Sequence, residues 1–551
     1  MKNIAFTIVL LLICLAASAQ SIQQNLQSII DDNNVSGIQL VYTNSSRTTA
    51  YNAGAAKEGA AKTVTSNTIF RAGSLGKSVF AYAIMRLYDR GVISLDTPLL
   101  HYIGSYNRFD KSEPRFSRIT ARMVLSHTSG LEFYGDSTAK LIGEPGKAFC
   151  YSSEGYFFLQ KVIEKLTGMP LEDMMQQEVF KPLNMTASTY IKREGFDNEM
   201  LGEDNFDPNA AFTLYTNATD YNIFLQALIN NTGLKPATAK LVFTQQSDAQ
   251  WLGKDTTKAD NFIDWGLGVG LQRNENGNAI WHWGSIMNTF NSFYMAFPDK
   301  KQSLVFFTNS VAGLRVANEV VNLLFGKQTT WAMPWLRLGY DHPETMMELH
   351  KNFRSLGFVN AGAVFTKLKK AGYQFSARDV EYFGNALLKQ KKMKPALAIF
   401  NENAKLYPAD AAVYKSLGRV YLASGNKPLA LKSYKRSLIL DTANMAVAYH
   451  IKALENKVNL TPAQLAAFEG KYKLNIMEGI FMDVKAKGNG LTIDVPGGNK
   501  DSVFLPVSAY EFLNDDTGFT LKFNKDGSGN VTSILIHTKN TVDVWERYKG
   551  K

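Results

Sequence analysis

Apolar and polar positions follow two rhythms along this chain, and the switches between them outline its organisation. Residues 37–43 and 48–53 are apolar-rich runs joined by the polar turn Asn44-Ser45-Ser46, which predicts a strand pair. After Phe70 the period lengthens: Val79, Phe80, Ala83, Ile84, Leu87 and Tyr88 recur at helical spacing, and Gly91 supplies a stop. This long helix is predicted to begin near Ser74. Asp96-Thr97-Pro98 has the composition of another helix start, with proline in the first turn. Residues 120–131 read as a short helix running into a turn at Ser129-Gly130, and residues 155–166 as an amphipathic helix. Strand-like runs then dominate at 267–271, 279–283, 292–297 and 303–307. Two early strands, a helical middle and a late run of strands predict one mixed α and β domain around a single sheet.

Beyond residue 346 the helical rhythm returns and repeats itself. Gly384, Ala396, Phe400 and Pro408 are matched 34 residues later by Gly418, Ala430, Tyr434 and Thr442. This spacing resembles the tetratricopeptide repeat, with Thr442 departing from its usual proline. Each unit would be a helix pair packed through small residues, and residues 346–370 are expected to cap the pair of repeats. The last 85 or so residues alternate again: Ile480, Met482, Val484, then Leu491, Ile493, Val495 after the turn Gly488-Asn489-Gly490, then Phe519, Leu521, Phe523 before Asp526-Gly527. A small β sandwich or barrel-like module is expected. The predicted division is therefore residues 1–19, 20–330, 346–458 and 465–551.

The first of these segments reads as a targeting signal. Lys2 precedes an apolar run from Ile4 to Leu15, and Ala17-Ser18-Ala19 has the small residues of a cleavage site. The run is too short for a stable membrane span, so the mature chain is expected to be exported, periplasmic or secreted, without a transmembrane segment. Bulky Ile13 before Cys14 argues against a lipid anchor there. Removal of the signal leaves Cys150 as the lone cysteine, which rules out an intramolecular disulfide, and a chain of 551 residues has enough apolar surface to fold without one. The net charge of +11 is concentrated in residues 346–460, which hold 19 Lys/Arg against 7 Asp/Glu. A solvated basic face is the expected consequence; an anionic envelope surface is the other, and nucleic acid is not an expected partner of an exported chain.

Candidate chemistry begins at Ser74-Leu75-Gly76-Lys77. A serine hydroxyl is a poor nucleophile until a neighbouring base takes its proton, and positions i and i+3 share a helix face, so Lys77 can reach Ser74. The free N–H groups at a helix start favour developing negative charge. Lysine must itself be neutral to act as a base, and bringing its pKa from about 10.4 to near 7 costs ~4–5 kcal/mol, which desolvation and nearby cations must supply.

Alone this pair is a weak signal. Three further segments follow it in order: Leu125-Ser126-His127-Thr128-Ser129-Gly130-Leu131, Tyr151-Ser152-Ser153 and His282-Trp283-Gly284. Together they resemble the serine β-lactamase-related family, which includes class C β-lactamases, D-specific peptidases and esterases, over roughly residues 25–325. The resemblance implies an α/β (α+β) β-lactamase/transpeptidase-like domain with a mixed, mainly antiparallel sheet, followed here by the α-helical repeats and the small all-β domain. It also implies Ser74 as acylated nucleophile, Lys77 and Tyr151 as a proton-transfer pair whose titrations are shared, and catalytic His282 on the strand that carries Gly284. The backbone N–H groups of Ser74 and Ser285 become the expected oxyanion hole, and Gly284 would let a substrate backbone approach the strand. His127 reads as a residue that orients a turn.

Two positions depart from the family's pattern. Ser153 replaces an asparagine that holds an acylamide side chain, and His282 replaces a lysine that supplies a fixed positive charge, since histidine with a reference pKa of about 6.5 is mostly neutral at pH 7. Both lower the expectation of efficient β-lactam hydrolysis and leave ester or amide hydrolysis intact. Other patterns carry less. Ser247-Asp248-Ala249 only approaches S-D-N; Gly266-x-Gly268-x-Gly270 reads as a packed strand rather than a phosphate loop; Asp526-Gly527-Ser528-Gly529 lacks the downstream glutamate of a calcium loop. The seven histidines form no ligand-spaced cluster, so neither a metal nor an organic cofactor is expected. Cys150 reads as a buried thiol, although its place beside Tyr151 would expose the site to thiol reagents. The resulting expectation is an exported serine hydrolase cleaving an ester or peptide-like amide. The alternatives are a weak β-lactamase or D-peptidase acting on cell-wall-like substrates, and a non-catalytic module that binds a protein partner through its repeats.

Overall fold

The computed structural model describes residues 21–57, 61–134, 138–196, 201, 206–286, 289–455, 458–475, 481–494, 503–514, 518–537 and 542–549. The predicted targeting segment lies outside them, as do Ile480 and Val495. The chain divides into two compact units, residues 1–350 and 351–551.

The first unit is built on a seven-stranded sheet. Its strands are β1 (Gly37–Asn44), β2 (Arg47–Gly54), β5 (Ile263–Trp265), β6 (Gly270–Asn274), β7 (Gly277–Ile286), β8 (Phe290–Phe297) and β9 (Gln302–Thr308); β3 (Phe70–Arg71) and β4 (Tyr215–Thr216) form a separate small pair. The sheet order is β2-β1-β9-β8-β7-β6-β5, and each pairing is antiparallel. The early strand pair thus inserts beside the last strand, leaving β8 central and buried on both faces. Side chains alternate across the sheet. Tyr294, Ala296, Val305 and Phe307 join the core formed with α1 (Gly76–Asp89), α2 (Glu154–Thr167) and α3 (Ala218–Ile229). Phe293, Met295, Leu304 and Phe306 face the opposite core, shared with the helix at 21–32, α4 (Ala317–Phe325) and the short helix Ala332–Leu336.

α1 is buried on nearly every side, as expected of a helix whose apolar positions extend around its circumference. Two expectations shift. The helix predicted from Asp96-Thr97-Pro98 is a single turn, Leu100–Ile103. The Gly266-x-Gly268-x-Gly270 segment is a bend between β5 and β6 instead of a packed strand. Gly268 has φ +78, its amide donates to the Leu125 carbonyl, and a Cβ there would collide with Ala81 of α1. The glycines let the bend lie flat on the helix.

In the second unit, α5 (Ala377–Lys389), α6 (Met393–Leu406), α7 (Ala411–Ala423), α8 (Lys427–Leu440) and α9 (Met445–Glu455) run as successive antiparallel neighbours. The rings of Phe400 and Tyr434 lie against Gly384 and Gly418, equivalent positions of the 34-residue repeat. The chain then forms a closed eight-stranded barrel, β10 (Gly470–Leu474) through β17 (Val542–Arg547). Its interior is filled by Tyr472, Met482, Leu491, Phe512, Leu521 and Ile534, so the barrel encloses a packed core.

Candidate active site around Ser74

Ser74 lies on a short 3₁₀ turn, Gly73–Leu75, immediately before α1. Gly73 adopts φ +57, and a Cβ on it would sit 3.1 Å from the amide nitrogen of Ser285. The turn is therefore pressed against β7. At Gly284 the contact is tighter still, because a Cβ there would collide with the Ala72 carbonyl oxygen and Ser292 Oγ. Ser292 Oγ also donates to that carbonyl at 2.8 Å. The space above Gly284 is thus occupied by the protein's own backbone rather than left for a substrate. This glycine docks the Ser74 turn, and Gly73 of that turn lies beside the Ser285 backbone.

Lys77, one turn along α1, is completely buried. Its Nζ donates to Ser74 Oγ at 3.1 Å, to Ser153 Oγ at 3.1 Å and to the Ala211 carbonyl at 2.9 Å. It also lies 5.1 Å from the ring centre of Tyr151 and 5.4 Å from that of Tyr156. Burial holds its pKa well below the ordinary lysine value. A neutral amine keeps two N–H donors and gains a lone pair; the carbonyl can take only a donated hydrogen, so the lone pair falls to one of the two hydroxyls.

Tyr151 is buried beside this pair, and its hydroxyl makes no well-formed hydrogen bond among the described residues. Burial raises its pKa, opposed by interaction with the Ser74 hydroxyl. His127 fixes the segment that carries it. The His127 Nδ1 accepts from the Ser152 amide at 3.1 Å, its carbonyl accepts from the Cys150 amide at 2.6 Å, and its ring packs 4.2 Å from that of Tyr151. His127 has φ +55, so the turn it was expected to orient includes its own strained backbone. Cys150 is buried and burial pushes its thiol up, which makes it a poor target for the thiol reagents considered from sequence.

His282 is buried in β7. Its Nδ1 lies 2.8 Å from the Trp283 carbonyl and 2.9 Å from the Trp283 amide nitrogen, while Nε2 has no partner among the described residues. Burial, with a contribution from nearby Lys77, lowers its pKa to about 3 against the raising effect of the Trp283 backbone. The ring is neutral throughout the ordinary pH range. Ser153, expected to meet substrate, is buried and accepts from Lys77, so its hydroxyl serves the lysine.

Several participants were invisible in the motifs. The Ala211 carbonyl is backbone and carries no sequence signal. Tyr156 follows Tyr151 by five residues and could have been found only by placing α2 against α1. Beneath Tyr151 lies an aromatic bed, with ring centres at 4.7 Å for Trp283, 6.1 Å for Trp251 and 6.2 Å for Trp265. Trp335 packs on all three of these tryptophans and donates from Nε1 to the Ala249 carbonyl at 3.1 Å. Among the described residues no group of three or more His, Cys, Asp or Glu side chains is arranged to hold a metal ion.

The first unit is similar to known proteins. The Beta-lactamase family profile matches residues 22–324, more than half of the chain. Penicillin-binding protein 4 of Amycolatopsis lactamdurans is 28% identical over 181 residues, 29% of this chain and 46% of that protein. Penicillin-binding protein 4* of Bacillus subtilis (strain 168) is 22% identical over 308 residues, 47% of this chain and 66% of that protein. Esterase EstB of Burkholderia gladioli is 28% identical over 173 residues, 26% of this chain and 43% of that protein. The chain thus spans between 43% and 66% of the length of these relatives. Among solved structures, a class C beta-lactamase aligns over 56% of this chain and 96% of its own at 20% identity, with a TM-score of 0.47. The D-amino acid amidase from Ochrobactrum anthropi SV3 aligns over 55% and 97% at 21% identity, with a TM-score of 0.46. With the profile match covering the sheet and Ser74, Lys77, Tyr151, Ser153, His282, Gly284 and Ser285, the chain belongs to the beta-lactamase family of serine hydrolases.

Proposed function

We propose that this protein is an exported serine hydrolase that cleaves an ester or peptide-like amide through an acyl-enzyme on Ser74. The observation that carries the reading is the buried Lys77 amine, held between Ser74 Oγ, Ser153 Oγ and the Ala211 carbonyl. Ser74 Oγ attacks the substrate carbonyl carbon as its proton passes to neutral Lys77. The resulting oxyanion is received by the backbone N–H groups of Ser74 and Ser285, a donor arrangement in which removing one donor costs ~3–4 kcal/mol. Collapse of the tetrahedral species expels the alkoxide or amine, which leaves with a proton relayed from Lys77 through Tyr151. Water then attacks the acyl-serine, giving its proton back through the same pair, and the acid departs as Ser74 recovers its hydroxyl.

The departures at Ser153 and His282 favour this reading over a dedicated β-lactamase or D-peptidase. Ser153 is committed to the lysine, and neutral His282 offers no fixed charge to a substrate carboxylate. Export rests on the composition of Met1–Ala19, and no helix among the described residues is long and apolar enough to cross a membrane. The repeat helices are read as a recognition module for a protein partner. A fluorophosphonate probe is expected to label the wild-type chain and to leave Ser74→Ala unlabelled; equal labelling of both would remove Ser74 from its role.

A further inference from the structure

Charge in the repeat helices is sorted by edge. Residues 382–401 and 411–440 contain no Asp or Glu. The acidic residues of α5 to α8 and their turns are Asp379 and Glu381 near the start of α5, Glu402 towards the end of α6, Asp410 at the N-cap of α7 and Asp441 at the C-cap of α8. Helices α5 and α7 run side by side in register, with Arg419 donating to Asn385 and Ser416 to Glu381. The α5–α6 and α7–α8 turns therefore share one edge of the array, and those carboxylates gather towards the other.

On the turn edge Lys389, Lys391, Lys392, Lys394 and Lys427 are all exposed, and none forms an ion pair among the described residues. Further along α6 and α8, Lys405 pairs with Glu402 at 2.6 Å and Lys435 with Glu455 at 2.7 Å. Helix stability does not account for the unpaired set. Lys391 has φ +59, a left-handed conformation that its repeat counterpart Gly425 adopts at φ +81 without a side-chain penalty. Lys394 and Lys427 stand in the first turns of α6 and α8, where the helix dipole disfavours a cation. Lys392, at the N-cap of α6, makes no side-chain capping hydrogen bond. Beside Lys427, Leu429 is 38% exposed. An acidic protein would be matched by the charge alone. Positive charge with a bare apolar side chain at the same tip matches a bilayer surface, whose anionic headgroups attract the lysines and whose interface accepts the leucine.

From this segregation we infer that the α5–α6 and α7–α8 turns form a peripheral docking edge for an anionic phospholipid bilayer. The inference is independent of the chemistry at Ser74 and leaves the helix faces to the protein partner proposed above.

The test is flotation of the full chain with vesicles of phosphatidylcholine, alone or with about one-third phosphatidylglycerol. The partition coefficient onto the phosphatidylglycerol vesicles is expected to exceed that onto phosphatidylcholine by about tenfold or more at ~0.1 M salt, and to fall several-fold at ~0.5 M. The combined variant Lys389→Gln, Lys391→Gly, Lys392→Gln and Lys394→Gln should lower it by at least about tenfold. A control that removes the same charge elsewhere, Lys405→Gln, Lys435→Gln, Lys485→Gln and Lys522→Gln, should retain most of the binding. Leu429→Ser should weaken it several-fold without any change of charge. No preference for phosphatidylglycerol, or equal losses in the two combined variants, would overturn the inference. Binding unmoved by Leu429→Ser, with retention of the chain on soluble polyglutamate, would also overturn it and assign the edge to an acidic polymer.

Discussion

At Lys77 a single side chain shows what burial does to chemistry. An ammonium with three acceptors is well satisfied, yet the loss of solvent still drives it toward the neutral form that a base must have. Ser153 is one of the acceptors that aim the lone pair. Ser153→Ala is therefore expected to lower kcat by roughly 10–100-fold, about 1.4–2.7 kcal/mol of barrier, with little change in KM. A rise in KM with kcat unchanged would instead return Ser153 to substrate binding. The pH dependence follows from the same shifts. In its proposed role as base Lys77 acts only when deprotonated, and its pKa is depressed, so kcat/KM should climb as pH rises through an acid limb below the usual lysine range. Tyr151, with its pKa raised, stays protonated on the alkaline side. His282, at about 3, and His127, also pushed well down by burial, should contribute no inflection between about pH 5 and 8. A pH–rate profile of His282→Gln checks this: its acid limb should coincide with that of the wild type.

Between elements, the decisive contact is the turn 72–75 on β7. Ser74 is placed by the absence of a side chain at Gly284, where the Ala72 carbonyl sits, and by the left-handed backbone of Gly73. Gly284→Ala inserts a methyl group into a filled space, and overpacking of this kind costs ~1–3 kcal/mol. Since the turn must retreat to admit it, probe labelling of Ser74 is expected to drop well before the protein unfolds at ordinary temperature. Labelling at the wild-type rate with a lowered melting temperature would show that the contact stabilises the fold without aiming the serine.

Across the whole molecule, the first compact unit runs to residue 350, beyond the family match that ends at 324 and the expected boundary at 330. The reason is packing. Trp335 completes the aromatic bed under Tyr151, Tyr340 donates to Asn33 at 2.6 Å, and Asn33 in turn donates to Glu319 at 3.0 Å. Trp335→Ala should cost ~3–5 kcal/mol, the range for truncating a large buried aromatic. Calorimetry of the full chain should resolve two unfolding transitions, one for each unit, with only that of the first unit lowered by Trp335→Ala. A shift of both would show that the units unfold as one.

The sequence by itself determined the local rhythm and the chemical cast. Strand alternation, the amphipathic helices and the 34-residue spacing follow from side-chain periodicity, and they located β1, β2, β7, β8, β9, α1 and α2 to within a few residues. Ser74, Lys77, Tyr151 and Ser153 were readable because motif order and spacing are properties of the chain. Only tertiary structure decided what these residues touch. Whether a lysine is neutral depends on how much water its neighbours exclude, and whether a glycine faces substrate or backbone depends on which segment crosses it. The use of Ser153 and Gly284 by the protein itself, the Ala211 carbonyl and the bed completed by Trp335 all arise from residues distant in sequence. Periodicity carries no information about such meetings, because packing selects them only when the whole sheet and its helices come together.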